Sequence, residues 1–509
     1  MLATVLTVLT TGLTAACSGP EISGSAQPSG ENDPNSVAGL PVTNGPSGLR
    51  ADVAPAKLTV KGTDKGETDQ LAEDALSDIY AYWSQEMPKD FGKDFTPPKK
   101  LISYDSTKSS FTDCGQNINS VQNAFYCPTE DTVSWDRAVL LPELQRQFGQ
   151  MAVVLVFAHE MGHLVQFHIG AVNTSTDTII KEQQADCYAG SFMRWTAEGN
   201  APHFQLSTGD GLDQVMAAML LFRDPTGSTD TGPDAHGTAF DRITAFQYGF
   251  EDGPQRCNQI NAQEIRQRVT ELGFTNASEA QTNDNLPVND QTLAYLQTSL
   301  DDSFTATKSF EPPRITASGN GSCGDGSPNT PPASYCATAN EVSIDETRLQ
   351  AIATPPGDGT LSTDASGIGD FAAFAEIASR YVLAVQSNDK LSISDTTGTD
   401  TAGTDTAGTD ADRGTSSTGG AGVGADAGLR TACLTGAWAG IARHGTSDPN
   451  NKLRLGSDDL DKAVAELLSS NSLIASDNSG HVVPAGFTRI TAFRTGFLQG
   501  AKTCTNQYP

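Results

Sequence analysis

Eight of the nine cysteines fall into two sets of four with matching spacing. Cys114 and Cys127 are 13 residues apart, as are Cys323 and Cys336. Cys187 and Cys257 are 70 apart, and Cys433 and Cys504 are 71 apart. The flanks repeat with them. Tyr126-Cys127 recurs as Tyr335-Cys336, and Val133-Ser134 with Asp136 recurs as Val342-Ser343 with Asp345. Residues 240–257 match residues 487–504 at ten of eighteen positions. Spacing alone is weak evidence; with this last block it predicts two copies of one fold in a chain of 509 residues. The spacing favours disulfides Cys114–Cys127, Cys187–Cys257, Cys323–Cys336 and Cys433–Cys504. Four cysteines in each copy allow three connectivities, so the pairing stays open at this level. A zinc–cysteine site is the alternative, and no C-x-x-C pair supports it.

The first copy contains His159-Glu160-Met161-Gly162-His163, preceded by the apolar run 151–158. On a helix, residues four apart share a face, so both imidazoles aim at one point with Glu160 beside them. Two neutral nitrogen ligands and a carboxylate near a bound water are what a catalytic zinc requires. With only seven histidines in the chain, a helix carrying this pattern by accident is rare. Tetrahedral zinc with one open position needs a third protein ligand. Glu182, nineteen residues beyond His163, is the favoured candidate; Asp177 and Asp186 are the alternatives. Asp186 lies four residues after Glu182 on the same helix face, where it suits the outer N–H of a liganding histidine. The small, apolar surroundings of this pair point to burial rather than to a solvated acidic face.

The second copy separates chemistry from packing. Gly149–Gln166 aligns without a gap on Gly369–Gln386, placing Ser379 at His159, Arg380 at Glu160 and Leu383 at His163. Counting from the later cysteines puts Gly428 at Glu182, Ala432 at Asp186 and Val483 at His236. Every proposed metal or catalytic group is lost while the cysteines persist. The comparison also nominates His236, which no motif marks and which reads equally well as a surface histidine.

The formal net charge of −29 disfavours attraction to nucleic acid or an anionic membrane surface. Residues 1–17 are an apolar run ending in Ala15-Ala16-Cys17, too short to span a bilayer. They read as a signal peptide with a lipobox-like end, predicting export and lipidation at Cys17, with a plain secreted protein as the alternative. Thr14 and the absence of Lys or Arg before the run depart from that pattern. Residues 18–65 read as a flexible linker, 66–262 as the first domain and 283–509 as the second. A Gly/Thr/Asp-rich insert at about 388–428 is expected to be disordered.

Three signatures carry a family resemblance: Phe125-Tyr126-Cys127-Pro128; Ala158 through His163 with Val165-Gln166; and Glu182-x-Gln184 through Gly190. His236-Gly237-Thr238 with Arg242 and Cys257 completes the set. Together they resemble the putative neutral zinc metallopeptidase family of bacteria, across residues 68–262. The resemblance implies a zincin-like fold with Glu182 as third ligand, and a peptide or protein substrate. Copy two then reads as a degenerate pseudopeptidase. The expected class is helix-rich α+β, with helices at 68–85, 143–168, 178–197, 210–223 and 238–251. A strand at Val133–Trp135 is expected to form the rim where a substrate pairs.

The chemistry expected is zinc-dependent peptide hydrolysis, with Glu160 as general base and His236 as oxyanion donor. A surface binding or scaffold protein with a vestigial zinc site is the rival reading, and the survival of every group in copy one speaks against it. Hydrolysis of a non-peptide amide, such as a cell-wall cross-link, is a third.

Overall fold

The computed structural model describes residues 33–108, 112–224, 235–268, 285–304, 310–355, 366–390, 426–443, 453–456 and 458–509. Cys17, the signal-like segment and most of the Gly/Thr/Asp-rich insert lie outside them. In the first half, helix α1 (Glu67–Phe91) buries Leu71, Ala75, Ile79 and Trp83 along one stripe. It runs beyond the expected end at 85 and stops at Gly92, whose φ of 64° suits a residue without a side chain.

Four strands follow the order β1 (Val60–Lys61), β2 (Lys100–Tyr104), β4 (Thr132–Asp136), β3 (Ala124–Cys127). β2 runs parallel to β4, and β3 runs antiparallel to it. Val133–Trp135 therefore is not the rim. It lies in β4, paired on both sides and fully buried. The edge beside this strand belongs to β3, and the opposite edge to β1.

The helix expected over 143–168 is two helices, α2 (Leu140–Phe148) and α3 (Gln150–Ile169). Gly149, at φ 81°, ends one and begins the other. α3 is apolar on all sides because it is covered by α1, α2, α4 (Thr178–Ala197) and α5 (Asp210–Met219). It is long and apolar enough to cross a membrane, yet sits inside the core. Helix α6 (Ala239–Asp252) crosses α4 at two glycines. A Cβ on Gly190 would fall 2.0 Å from Phe246 O, and one on Gly249 would fall 1.7 Å from Cys187 O.

The second half has the same order of elements. Strands β5 (Arg314–Ala317), β6 (Ala333–Cys336) and β7 (Glu341–Ile344) form a sheet in which β5 is parallel and β6 antiparallel to β7. Around them lie α7 (Asp290–Phe304), α8 (Glu346–Ala353), α9 (Asp370–Asn388), α10 (Asp426–Ala442), α11 (Asp459–Leu468) and α12 (Gly486–Gln499). α10 and α12 cross at Gly436 and Gly496, where an added Cβ would fall 2.0 Å from Phe493 O and 1.7 Å from Cys433 O, as at the α4–α6 crossing. The insert is shorter than expected at its far end, because Asp426 already starts α10. All four disulfides join the favoured pairs.

Residues 33–65 are not a tether. Arg50 Nε donates to the carbonyls of Ala201 and Phe204, Thr43 pairs with Thr208, and Val37 is fully buried. Ser36 O accepts a hydrogen bond from Thr488 Oγ1 in the second half.

The halves meet through α6 and α12, and equivalent residues face each other reciprocally. Phe240 meets Phe497 edge-to-face with ring centres 5.5 Å apart, and Phe250 meets Phe487 at a tilt at 5.0 Å. Phe240 and Phe487 hold one position in the repeat; Phe250 and Phe497 hold another. Arg494 donates to Gln247 Oε1 at 2.7 Å from the matching position. A contact of this kind is isologous, as in a symmetric dimer, but formed inside one chain.

Candidate metal centre

His159 and His163 stand one turn apart on α3, with ring centres 4.7 Å apart. Gly162 between them lets α4 come close, since a Cβ there would lie 3.0 Å from Ala185 Cα. That approach brings in Glu182 from the first turns of α4. Its Oε2 lies 3.2 Å from His159 Nε2 and its Oε1 3.4 Å from His163 Nε2. These three residues offer ligand atoms within 4.8 Å of one another.

Of the other candidates for third ligand, Asp177 stands just before the first turn of α4, outside this cluster. Asp186 binds the far side of the ring instead, with Oδ1 2.8 Å from His159 Nδ1. A carboxylate only accepts, so Nδ1 carries the proton and Nε2 is left facing Glu182. Two imidazole nitrogens and a carboxylate form a donor set that suits zinc.

Arg242, from α6, holds Asp186 in turn. Its Nε meets Oδ2 at 2.8 Å and its Nη2 meets Oδ1 at 2.9 Å, both buried. Sequence comparison missed this role because the second half also has an arginine there. Arg489 spends its donors on the carbonyls of Val483, Leu467, Ser469 and Pro484.

Glu160 is buried beside the histidines, and its Oε2 accepts the Tyr126 N–H of edge strand β3 at 2.8 Å. His236 lines the same cleft, its side chain 45% exposed. Its Nδ1 lies 3.2 Å from Asp224 Oδ1, and Asp224 Oδ2 accepts the N–H of both His236 and Gly237. Asp224 carried no signal in the sequence.

The charges are mutually dependent. Burial alone would lower His159, but the Asp186 and Glu182 carboxylates push it up to about 10. Burial raises Glu182, and the two histidines overcome this and hold it well below the usual range. Asp186 is likewise held low, against burial, by Arg242 and His159. Burial keeps Glu160 above its ordinary value despite the nearby histidines. Asp224 raises His236 against its partial burial.

The cleft over these groups measures about 510 Å³. Asn123 and β3 as far as Tyr126 supply one wall, Leu140, Leu155, Val156, Met219, Leu221 and Phe222 an apolar side, and Arg223, Asp224 and His236 a polar one. In the second half the position of the metal ligands is filled, although a cleft of about 500 Å³ remains beside it. Arg380, at the Glu160 position, is fully buried and donates to the carbonyls of Leu473, Ser476 and Asp477. Val483 packs against Gly428, where a Cβ would meet it at 2.9 Å. Cys323, Asp325 and Cys336 also lie close together, but the two cysteines are joined in a disulfide.

Residues 32–262 match the family model described as putative neutral zinc metallopeptidase. No curated protein and no solved structure matches the chain.

Proposed function

From a first half, residues 32–262, that belongs to the neutral zinc metallopeptidase family, we propose that this protein is an exported zinc-dependent endopeptidase. Its metal ligands are His159, His163 and Glu182. The convergence of those three side chains, with Asp186 and Arg242 locking His159 from behind, is the observation that carries the reading. Zinc bound there supplies a Lewis acid and brings the pKa of a water toward about 7.

The protein's own groups do the rest. Glu160, anchored through Oε2 on Tyr126 N–H, uses its other oxygen to take the proton from water and deliver it to the leaving amine. His236, whose pKa Asp224 raises, donates a hydrogen bond to the oxyanion. The edge of β3, beyond the Tyr126 N–H that Glu160 uses, pairs with an extended peptide through its remaining backbone groups. The apolar wall excludes water and receives a large side chain.

The second half, with Arg380 and Val483 at the positions of Glu160 and His236 and no metal ligand retained, is a non-catalytic copy. Four disulfides suit an oxidising compartment, supporting export, with Cys17 as the lipid anchor on the outer face of a bacterial membrane. Metal analysis of the purified chain tests the reading. One zinc per chain with cleavage of a peptide library is the expected result; no zinc and no cleavage would favour the scaffold reading.

A further inference from the structure

The reciprocal interface places one carboxylate from each half at the start of the other half's helix. Asp461 Oδ1, on α11, accepts the Phe240 N–H of α6 at 2.9 Å. Asp213 Oδ2, on α5, accepts the Gly486 N–H of α12 at 3.0 Å. The two aspartates occupy equivalent positions, in Leu212-Asp213 and Leu460-Asp461. Each meets N–H groups that the first turn of a helix leaves without an internal partner.

What lies beyond each contact differs. On α12, Arg489 follows Phe487 by two residues and is spent on backbone carbonyls. On α6, Arg242 follows Phe240 by two residues and holds Asp186, which holds His159. Asp461 also has a second contact, with its Oδ2 3.6 Å from Arg223 Nε. Arg223 sits in the cleft wall between Phe222, whose carbonyl accepts from Arg242 Nη1, and Asp224, the partner of His236. One buried carboxylate from the second half therefore touches both segments that orient the site.

We infer that Asp461 is a positioning residue for the metal centre, and that the second half serves catalysis by fixing the start of α6 and the Leu220–Asp224 segment. The inference rests on the zinc peptidase reading. The copy without a site thereby acquires a physical role, because its loss would loosen Arg242 and, through Asp186, the orientation of the His159 ring. Partners that orient metal ligands are worth about 10–100-fold in affinity or activity, and a contact one step further out is expected to be worth about 3–10-fold.

The symmetry supplies the control. Asp461→Asn and Asp213→Asn in the full chain alter equivalently placed carboxyl groups of one interface, so a merely structural role would give both the same outcome. Zinc affinity by chelator competition, kcat and KM at saturating zinc, and thermal stability would be compared. Both variants are expected to lose similar stability. Only Asp461→Asn is expected to bind zinc about 3–10-fold more weakly and to lose kcat with KM within about two-fold. Zinc affinity and kcat unchanged in Asp461→Asn, or lowered equally in both variants, would overturn the inference. Hydrogen exchange at the Phe240 and Asp241 amides in zinc-free protein separates the two claims. Faster exchange in Asp461→Asn, with a wild type that takes up no zinc, would mean the contact is real but the metal reading, and with it the positioning role, is wrong.

Discussion

Arg242 grips Asp186 through two buried hydrogen bonds of 2.8 and 2.9 Å, and Asp186 in turn meets His159 Nδ1 at 2.8 Å. The pair makes the orientation of a metal ligand on α3 depend on α6, a helix that offers no metal ligand itself.

Replacing Asp186 by Ala leaves the Arg242 guanidinium buried without its carboxylate. Breaking a buried pair from one side costs about 3–5 kcal/mol. Asp186→Ala is therefore expected to lose stability of that order by denaturant unfolding of the zinc-free protein. It should also lose about 10–100-fold in zinc affinity by chelator competition. A variant with unchanged stability would contradict the pairing.

His236 is held above its ordinary pKa by Asp224. Its protonated form is thus present below that raised value and lost as pH rises through it. If it donates to the oxyanion, kcat/KM is expected to fall on the alkaline side as this proton leaves. Asp224→Asn removes the support and should move the fall to lower pH. His236→Phe should abolish that limb and lower kcat by about 10²–10³-fold. An unchanged limb in His236→Phe would assign it to another group.

Glu376 and Glu466 face each other, buried in the second half, and line a separate cleft of about 500 Å³. Burial holds both carboxyls above the usual range, and they share a hydrogen bond. The folded state therefore keeps protons that the unfolded chain releases near pH 4.5. Stability is fully present below that pH and falls as pH rises through the raised values, by about 1.4 kcal/mol per unit of difference. Glu376→Gln keeps a donor without a titrating proton. It is expected to flatten this dependence and raise the melting temperature above pH 7. An unaltered slope in thermal melts from pH 4.5 to 8 would contradict the shared-proton account.

The parts of the site confined to one helix were readable from residue order. His159, Glu160 and His163 need only the helical period, and Glu182 and Asp186 need one more helix. The copy comparison exposed His236 because Val483 replaces it, and it concealed Arg242 because Arg489 does not. Whether a strand lies at the edge or centre of a sheet depends on distant partners, so Val133–Trp135 was placed at a rim that belongs to Ala124–Cys127. Composition misled at residues 33–65 for a related reason. Serine, glycine, proline and asparagine there read as flexible, yet Thr43 and Ser47 pair with Thr208 and Ser207, about 160 residues away. Asp224 meets His236 across twelve positions of sequence, a contact that no local pattern announces.

The central claim is that Glu160 moves the proton while His159, His163 and Glu182 hold the metal. Zinc content and peptide cleavage, measured side by side in wild type and Glu160→Gln, test it most directly. The account predicts about one zinc per chain in both proteins, and cleavage by the wild type alone, since a general base contributes on the order of 10²–10⁴-fold or more. Glu160→Gln cleaving at the wild-type rate with zinc bound would contradict it.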